Sequence, residues 1–177
     1  MNSSTRTTAT GERADLLAAL AKARYFLRFT TRDLTDEQVR QRTTASELTL
    51  GGLIKHVAAI EQGWANFILE GPSALGDYSA MTEEDFARWG DQFRLLPGET
   101  LDGVLAGYAR VAERTDELVR TLPDLNATHP LPRAPWHPAG GQWSARRVLL
   151  HIIAETAQHA GHADIIRESL DGAKSMG

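Results

Sequence analysis

The stretch HIIAETAQHAGHADIIRE, from His151 to Glu168, holds three histidines and three acidic residues within eighteen positions. On an α-helix, at about 100° per residue, four potential metal ligands project within roughly a quarter of the circumference: His151, Glu155, His159 and His162. The apolar residues of the stretch overlap this arc, so Glu155 and His159 face the protein interior or its margin. A carboxylate in that position is costly unless it is paired or bound to a cation.

A metal site would explain why these side chains point inward. A spacing of four lets Glu155 and His159 converge on one ion, with bonds of about 2.0–2.2 Å for zinc. His56, in the apolar stretch LGGLIKHVAAIEQGW, lies on or beside the core stripe of another helix, where Gly52 and Gly63 leave room around the imidazole. Three protein ligands and one open position are typical of catalytic zinc sites. The alternative interpretation is a solvated polar face on the last helix and a hydrogen-bonded core histidine at His56.

Other catalytic motifs are absent from the chain. It contains no HExxH, no nucleophile elbow of the GxSxG type, no P-loop and no dinucleotide-binding fingerprint. A carboxylate-bridged di-iron bundle needs two Glu-x-x-His motifs, and the sequence has none. Because there is no cysteine, disulfides, thiolate zinc sites and a cysteine nucleophile are excluded. Any thiol that takes part in the chemistry must therefore arrive as a cosubstrate.

The composition is that of an ordinary globular protein, with 177 residues of which 42% are hydrophobic and 24% charged. We expect a disordered segment at residues 1–10 and a single domain at residues 11–172. The net charge of −4 argues against nucleic-acid or anionic-membrane partners, because those partners select basic surfaces. No run approaches the ~20 apolar residues of a membrane span, and the first residues contain no apolar signal-peptide core. We therefore expect a cytoplasmic location.

The elements that must position the candidate ligands are helices, because apolar residues recur with a helical period along almost the whole chain. Four long helices are predicted, at about 11–32, 49–70, 99–122 and 144–170. Gly71-Pro72 ends the second helix and Ser144 caps the last, while shorter helices begin at Thr35 and Thr82 in the connections. No segment alternates with a period of two, so no sheet is assigned. A hairpin within residues 126–143, turned at Gly140-Gly141, is the one alternative.

The two stretches quoted above resemble the DinB-like superfamily, and more narrowly its actinobacterial mycothiol-dependent branch. The resemblance covers nearly the whole chain, including LTDEQVRQR after the first helix and Trp143-Ser144 before the last. It implies an all-α fold, an up-down-down-up four-helix bundle with short extra helices in the connections. In that fold, one histidine of the second helix and two residues of the last helix bind a divalent metal ion.

Carried over position by position, the resemblance implies that His56, Glu155 and His159 are the metal ligands. Many members have histidine at the first of the two last-helix positions, whereas this chain has Glu155, as do the mycothiol-dependent maleylpyruvate isomerases. His162 falls where many relatives have glutamine and is the candidate catalytic residue, either facing the substrate or orienting a ligand. No separate role is assigned to His151. Zn²⁺ is the expected ion, and Ni²⁺, Fe²⁺ and Mn²⁺ also suit these donors.

The resemblance also implies a source for the missing thiol, with mycothiol as cosubstrate. An actinobacterial origin agrees with the scarcity of lysine, which accounts for three of the 19 basic residues. The leading hypothesis is a metal-dependent thiol transferase or isomerase that acts on an electrophilic small molecule and forms a homodimer. Trp64, Trp136 and Trp143 are candidate walls of its cleft. The alternatives are a non-catalytic metal-binding or stress-related helical interaction protein, and a metal-assisted hydrolase.

Overall fold

The computed structural model describes residues 9–176, and helices make up most of it. Most of the predicted disordered segment, residues 1–10, lies outside this part. Five helices follow one another along the chain: α1 Glu12–Phe29, α2 Leu50–Glu70, α3 Glu83–Gly90, α4 Leu101–Thr121 and α5 Ala145–Asp171. Single 3-10 turns lie in the connections, at Gln38–Arg40, Gly71–Ala74, Tyr78–Ala80 and Asp91–Phe93. The prediction of an all-α fold is confirmed.

Polar caps fix where the helices begin, as their sequence signatures predict. The Ser144 hydroxyl accepts a hydrogen bond from the Arg147 backbone N–H at the start of α5. Thr82 forms a reciprocal capping box with Asp85 at the start of α3. The segment at Thr35 forms only a 3-10 turn, and α1 ends three residues earlier than the predicted boundary at residue 32. Predicted boundaries of long helices shift by a few residues because helix ends fray into turns.

Contacts between helix ends establish the direction of each long helix. Arg146 at the start of α5 pairs with Glu12 at the start of α1, so these two helices run in parallel. Lys55 near the start of α2 pairs with Glu99 just before α4, at 2.8 Å, so α2 and α4 are also parallel. Arg13 at the start of α1 donates hydrogen bonds to carbonyl oxygens at the end of α4, so α1 and α4 are antiparallel. The order is therefore up-down-down-up, as predicted.

The core runs along the centre of the bundle in two adjoining clusters of apolar side chains. One cluster fills the end near the start of α5 and includes Leu20, Phe67, Val119, Leu149 and Ile152. The other fills the opposite end and includes Leu27, Leu53, Ile54, Val57 and Tyr108. Between residues 9 and 176, no helix combines the length and the apolar character needed to cross a membrane.

A small sheet corrects the assignment of no strands. Strands β1 Thr128–Pro130 and β2 Gln142–Ser144 pair antiparallel, with His129 opposite Trp143. The hairpin falls in the region where the sequence left that alternative open. Its strands have three residues each, too short for an alternating hydrophobic pattern to stand out. The sheet holds Trp143 directly before α5 and so contributes to the candidate site.

Candidate metal centre

α2 and α5 pack side by side and place the predicted ligands opposite one another. His56 projects from α2 and is only 4% exposed. Glu155 and His159 lie on successive turns of α5, with side chains 29% and 13% exposed. The rings of His56 and His159 meet edge to face, with their centroids 5.0 Å apart. The cluster is therefore half-buried at the margin of the core, where the helical periodicity places it.

The donor atoms of these three residues lie close enough to surround one cation. One ligand atom from each of His56, Glu155 and His159 lies within 4.8 Å of the other two. Glu155 Oε2 and His159 Nε2 are 3.7 Å apart. Two ligands of one tetrahedral zinc ion lie ~3.4 Å apart at the usual bond lengths. The structure thus brings together the three residues proposed as ligands, with a spacing that suits such an ion.

The surroundings of His56 keep its imidazole in the form that binds metal. Burial, and to a smaller extent the nearby His159, lower the pKa of His56 to about 4, against an opposing effect of Gln92. The ring is therefore neutral near pH 7, as metal binding requires. Among the described residues, His56 Nδ1 has no hydrogen-bond partner although it is buried. Such an atom costs roughly 1–3 kcal/mol, so the pocket suits a group that comes from outside the chain.

Gly52 allows a neighbouring segment to cover His56. The Phe93 ring stacks on the imidazole, with centroids 4.1 Å apart. A Cβ atom at Gly52 would lie 1.8 Å from the Phe93 carbonyl oxygen and 2.9 Å from the Arg94 nitrogen. The sequence suggested that Gly52 leaves room for the imidazole. In the structure, the main chain of Phe93 and Arg94 occupies that space instead. Gly63 likewise faces Leu75, 3.1 Å from where its Cβ would be.

We expect Gly52→Ala to displace the 91–95 segment, because the clash is with backbone atoms that cannot rotate away. Overpacking of this kind destabilises by about 1–3 kcal/mol. Urea unfolding measures the change, and Gly107→Ala is the matched control. The nearest atom to a Cβ at Gly107 is 3.8 Å away, on the flexible Arg110 side chain. Alanine there is expected to stabilise α4 by roughly 0.5–1 kcal/mol. Equal stability of the Gly52→Ala protein and the wild type would contradict the assigned close approach.

A cleft of about 490 Å³ lies between α2 and the 71–93 connection. The three donors do not line it, but Gln92, which interacts with His56, does. Ile60 and Trp64 of α2 form one wall, while Tyr78, Trp89 and Gln92 from the 71–93 connection form the other. Trp136 packs against Tyr78 with centroids 5.4 Å apart and is 65% exposed. Cavities of comparable size on the α2/α4 and α1/α4 faces contain neither a donor nor Gln92 in their linings. Of these three cavities, the cleft lined by Gln92 is therefore the one linked to the donors, through His56.

Comparison with known proteins places the chain in a family. A family model described as mycothiol S-transferase matches residues 15–172, which cover α2 to α5 and all but the first three residues of α1. The chain belongs to the mycothiol S-transferase family. No curated protein matches the chain. Membership confirms the resemblance to the mycothiol-dependent branch of the DinB-like superfamily.

In this mycothiol S-transferase family member, His162 contacts a candidate ligand and not the open cleft. Its Nδ1 lies 3.4 Å from Nδ1 of His159, while Nε2 of His159 faces Glu155. Burial lowers the pKa of His159, and His162 lowers it further. Of the two roles that the sequence left open for His162, this position favours orientation of a ligand. Its assignment as a catalytic residue stays a prediction.

The three tryptophans proposed as cleft walls differ in their positions, and two arginines at the start of α5 lie near them or apart from them. Trp64 lines the cleft, Trp136 lies at its mouth, and Trp143 stacks on Trp64 with centroids 4.8 Å apart. The Arg147 guanidinium lies 4.5 Å from the centre of the Trp143 ring. Arg146 pairs with Glu12 at the start of α1 and takes no part in the candidate site.

Sequence reasoning gave no role to His151, which the structure places beside the candidate ligands. Its Nε2 is 3.9 Å from Glu155 Oε1. The signal was present in the spacing of four that links residues 151, 155 and 159 on one face of α5. His129 and His137, also without an assigned role, lie within hydrogen-bond distance of the carbonyl oxygens of Ile68 and Pro132.

Proposed function

We propose that this chain is a metal-dependent enzyme that transfers mycothiol to an electrophilic small molecule or uses it to isomerise one. The observation that carries the proposal is the group of three donors from α2 and α5, within 4.8 Å of one another. The chain has no cysteine, so the sulfur must come from a cosubstrate. Membership of the mycothiol S-transferase family supports mycothiol as that thiol.

His56, Glu155 and His159 would hold a divalent cation, with Zn²⁺ as the expected ion. When bound, such a cation lowers the pKa of a coordinated thiol and so supplies a thiolate at neutral pH. Burial lowers the pKa of both imidazoles, so they are neutral donors at pH 7. The Glu155 carboxylate provides the one negative charge of the set. Three protein ligands leave one position for a further ligand.

The walls of the cleft lined by Gln92 would bind the electrophile. The apolar faces of Trp64, Tyr78 and Trp89 suit an uncharged carbon skeleton. In a transfer reaction the sulfur forms a bond to carbon. With an activated halide, the halide ion departs with the bonding electrons, and with an epoxide, one ring C–O bond breaks and its oxygen, which stays on the product, takes up a proton. In an isomerisation, the thiol adds to a conjugated alkene, a carbon–carbon bond rotates, and the thiol is expelled. Both reactions require the electrophile and the thiol to be held side by side.

The test combines zinc-loaded protein with mycothiol and one representative each of an epoxide, an activated halide and a conjugated alkene. We expect at least one to form an S-conjugate or an isomer, detected by mass spectrometry. Turnover should require mycothiol and fall to background in His159→Ala, because a candidate ligand is lost. Hydrolysis of esters without thiol would favour the hydrolase hypothesis instead. If the zinc-loaded protein converts none of the three and does not bind mycothiol, the chain is a binding protein.

A further inference from the structure

The Glu155 carboxylate lies between two imidazoles of the same helix. His159, one turn later, places Nε2 at 3.7 Å from Oε2. His151, one turn earlier, places Nε2 at 3.9 Å from Oε1. Each carboxylate oxygen therefore faces a different ring. Only His159 belongs to the group whose donors all lie within 4.8 Å, together with His56 and Glu155.

The His151 ring is held by a stack of tryptophans. Its centroid lies 5.0 Å from that of Trp64 and 5.0 Å from that of Trp143, with both contacts edge to face. The two tryptophans stack on each other with centroids 4.8 Å apart. Edge-to-face contacts of this kind fix the orientation of a ring. The stack therefore restrains the edge of His151 that faces Glu155.

We infer that His151 is a positioning residue, which donates a hydrogen bond from Nε2 to Oε1 of Glu155. This inference rests on the proposed metal site. A carboxylate that gives one oxygen to a cation needs a donor for the other, and such donors orient the ligand. The separation of 3.9 Å exceeds a direct hydrogen bond of ~3.2 Å. A small rotation of the carboxylate, or one bridging water, closes the difference.

Zinc affinity measured against a chromophoric chelator tests this role. His151→Phe keeps a ring between Trp64 and Trp143 but removes the donor, and is expected to weaken zinc binding by about 10–100-fold. His151→Gln places an amide nitrogen near the position of Nε2 and should restore most of the affinity. His137→Phe is the matched control, because His137 lies 6.1–6.4 Å from the same two tryptophans but faces the Pro132 carbonyl oxygen.

Two further measurements distinguish a positioning role of His151 from a purely structural role and from direct binding to the metal. The metal-free His151→Phe protein should melt close to the wild type, since the aromatic contacts remain. Its cobalt form should keep the wild-type absorption spectrum, since the ligand set is unchanged. Wild-type zinc affinity in His151→Phe would overturn the inference, as would a glutamine variant as weak as phenylalanine. An altered spectrum of the cobalt-loaded His151→Phe protein would make His151 a ligand and would also overturn the inference. Absence of metal from the wild type would instead overturn the proposed function.

Discussion

Purified wild-type protein is expected to carry about one divalent ion per chain, and Glu155→Gln and His56→Ala to carry none. Each substitution removes one of three donors that lie within 4.8 Å of one another. The Gln side chain keeps the shape of Glu155 but lacks its negative charge. The two donors that remain hold a cation far more weakly, because a carboxylate compensates the charge and fixes the third direction. Elemental mass spectrometry after loading with zinc, nickel, iron or manganese in turn measures the content.

Glu168→Gln is the control for the loss of a carboxylate on the same helix. Glu168 lies near the end of α5 and pairs with Lys174 at 3.0 Å, where both side chains are 52% exposed. Its variant should keep the full metal content. Wild-type metal content in Glu155→Gln would show that Glu155 is not a ligand. A wild type that takes up none of the four metals would contradict metal dependence and leave a helical binding protein.

The grouping of the two candidate ligands on α5 could be predicted because one helix fixes their relative positions. Residues four apart lie on the same face of any α-helix, so Glu155 and His159 converge whatever the rest of the fold does. Ser144, a typical N-cap residue, indicates where that helix begins. The position of His56 relative to Glu155 and His159 could not be predicted from local geometry, because no local feature of the sequence relates α2 to α5. Its position on the core stripe of α2 and the need for a third ligand favoured His56, and the family resemblance then implied the same residue. The bundle brings its ring to 5.0 Å from that of His159.

The environment of the site could not be predicted in the same way. His151 acquires its position from Trp143, which a three-residue strand holds next to Trp64 of another helix. The close approach at Gly52 depends on the path of the Phe93 main chain, which comes from a connection about 40 residues away. Contacts of this kind depend on loop conformation and on the register between helices. Neither leaves a periodic signal in the sequence.

A buried ionic network in the bundle core likewise could not be predicted from the sequence. Arg24 of α1 donates to both oxygens of Glu61 on α2, at 3.1 and 2.5 Å, and to Asp116 of α4 at 2.7 Å. The side chains of Arg24 and Glu61 are 7% and 0% exposed. Burial by itself lowers the pKa of Arg24, but the two carboxylates outweigh it and its pKa is raised. The network fixes the register of three helices through one guanidinium.

Glu61→Ala is therefore expected to destabilise the protein by about 3–5 kcal/mol, because it leaves the Arg24 charge buried without its bidentate partner. Asp116 remains as a partner, but its side chain is 27% exposed and offers one oxygen. For a chain of this length, each kcal/mol lowers the melting temperature by roughly 2–4 °C. Urea unfolding measures the change in the free energy of unfolding, provided that the m value is the same in the variant and the wild type.

A double variant and a surface control make the cause of that loss identifiable. Arg24→Met with Glu61→Leu removes both charges and should recover most of the stability, since apolar replacement of a buried pair is often neutral or favourable. Glu117→Ala breaks a 3.7 Å pair with Arg120 at a side chain 61% exposed and should cost at most about 1 kcal/mol. If the double variant is as unstable as Glu61→Ala, the loss comes from packing volume and not from the unpaired charge. Recovery would show that the ion pair is dispensable for stability, leaving the register of α1, α2 and α4 as the property that the network supplies.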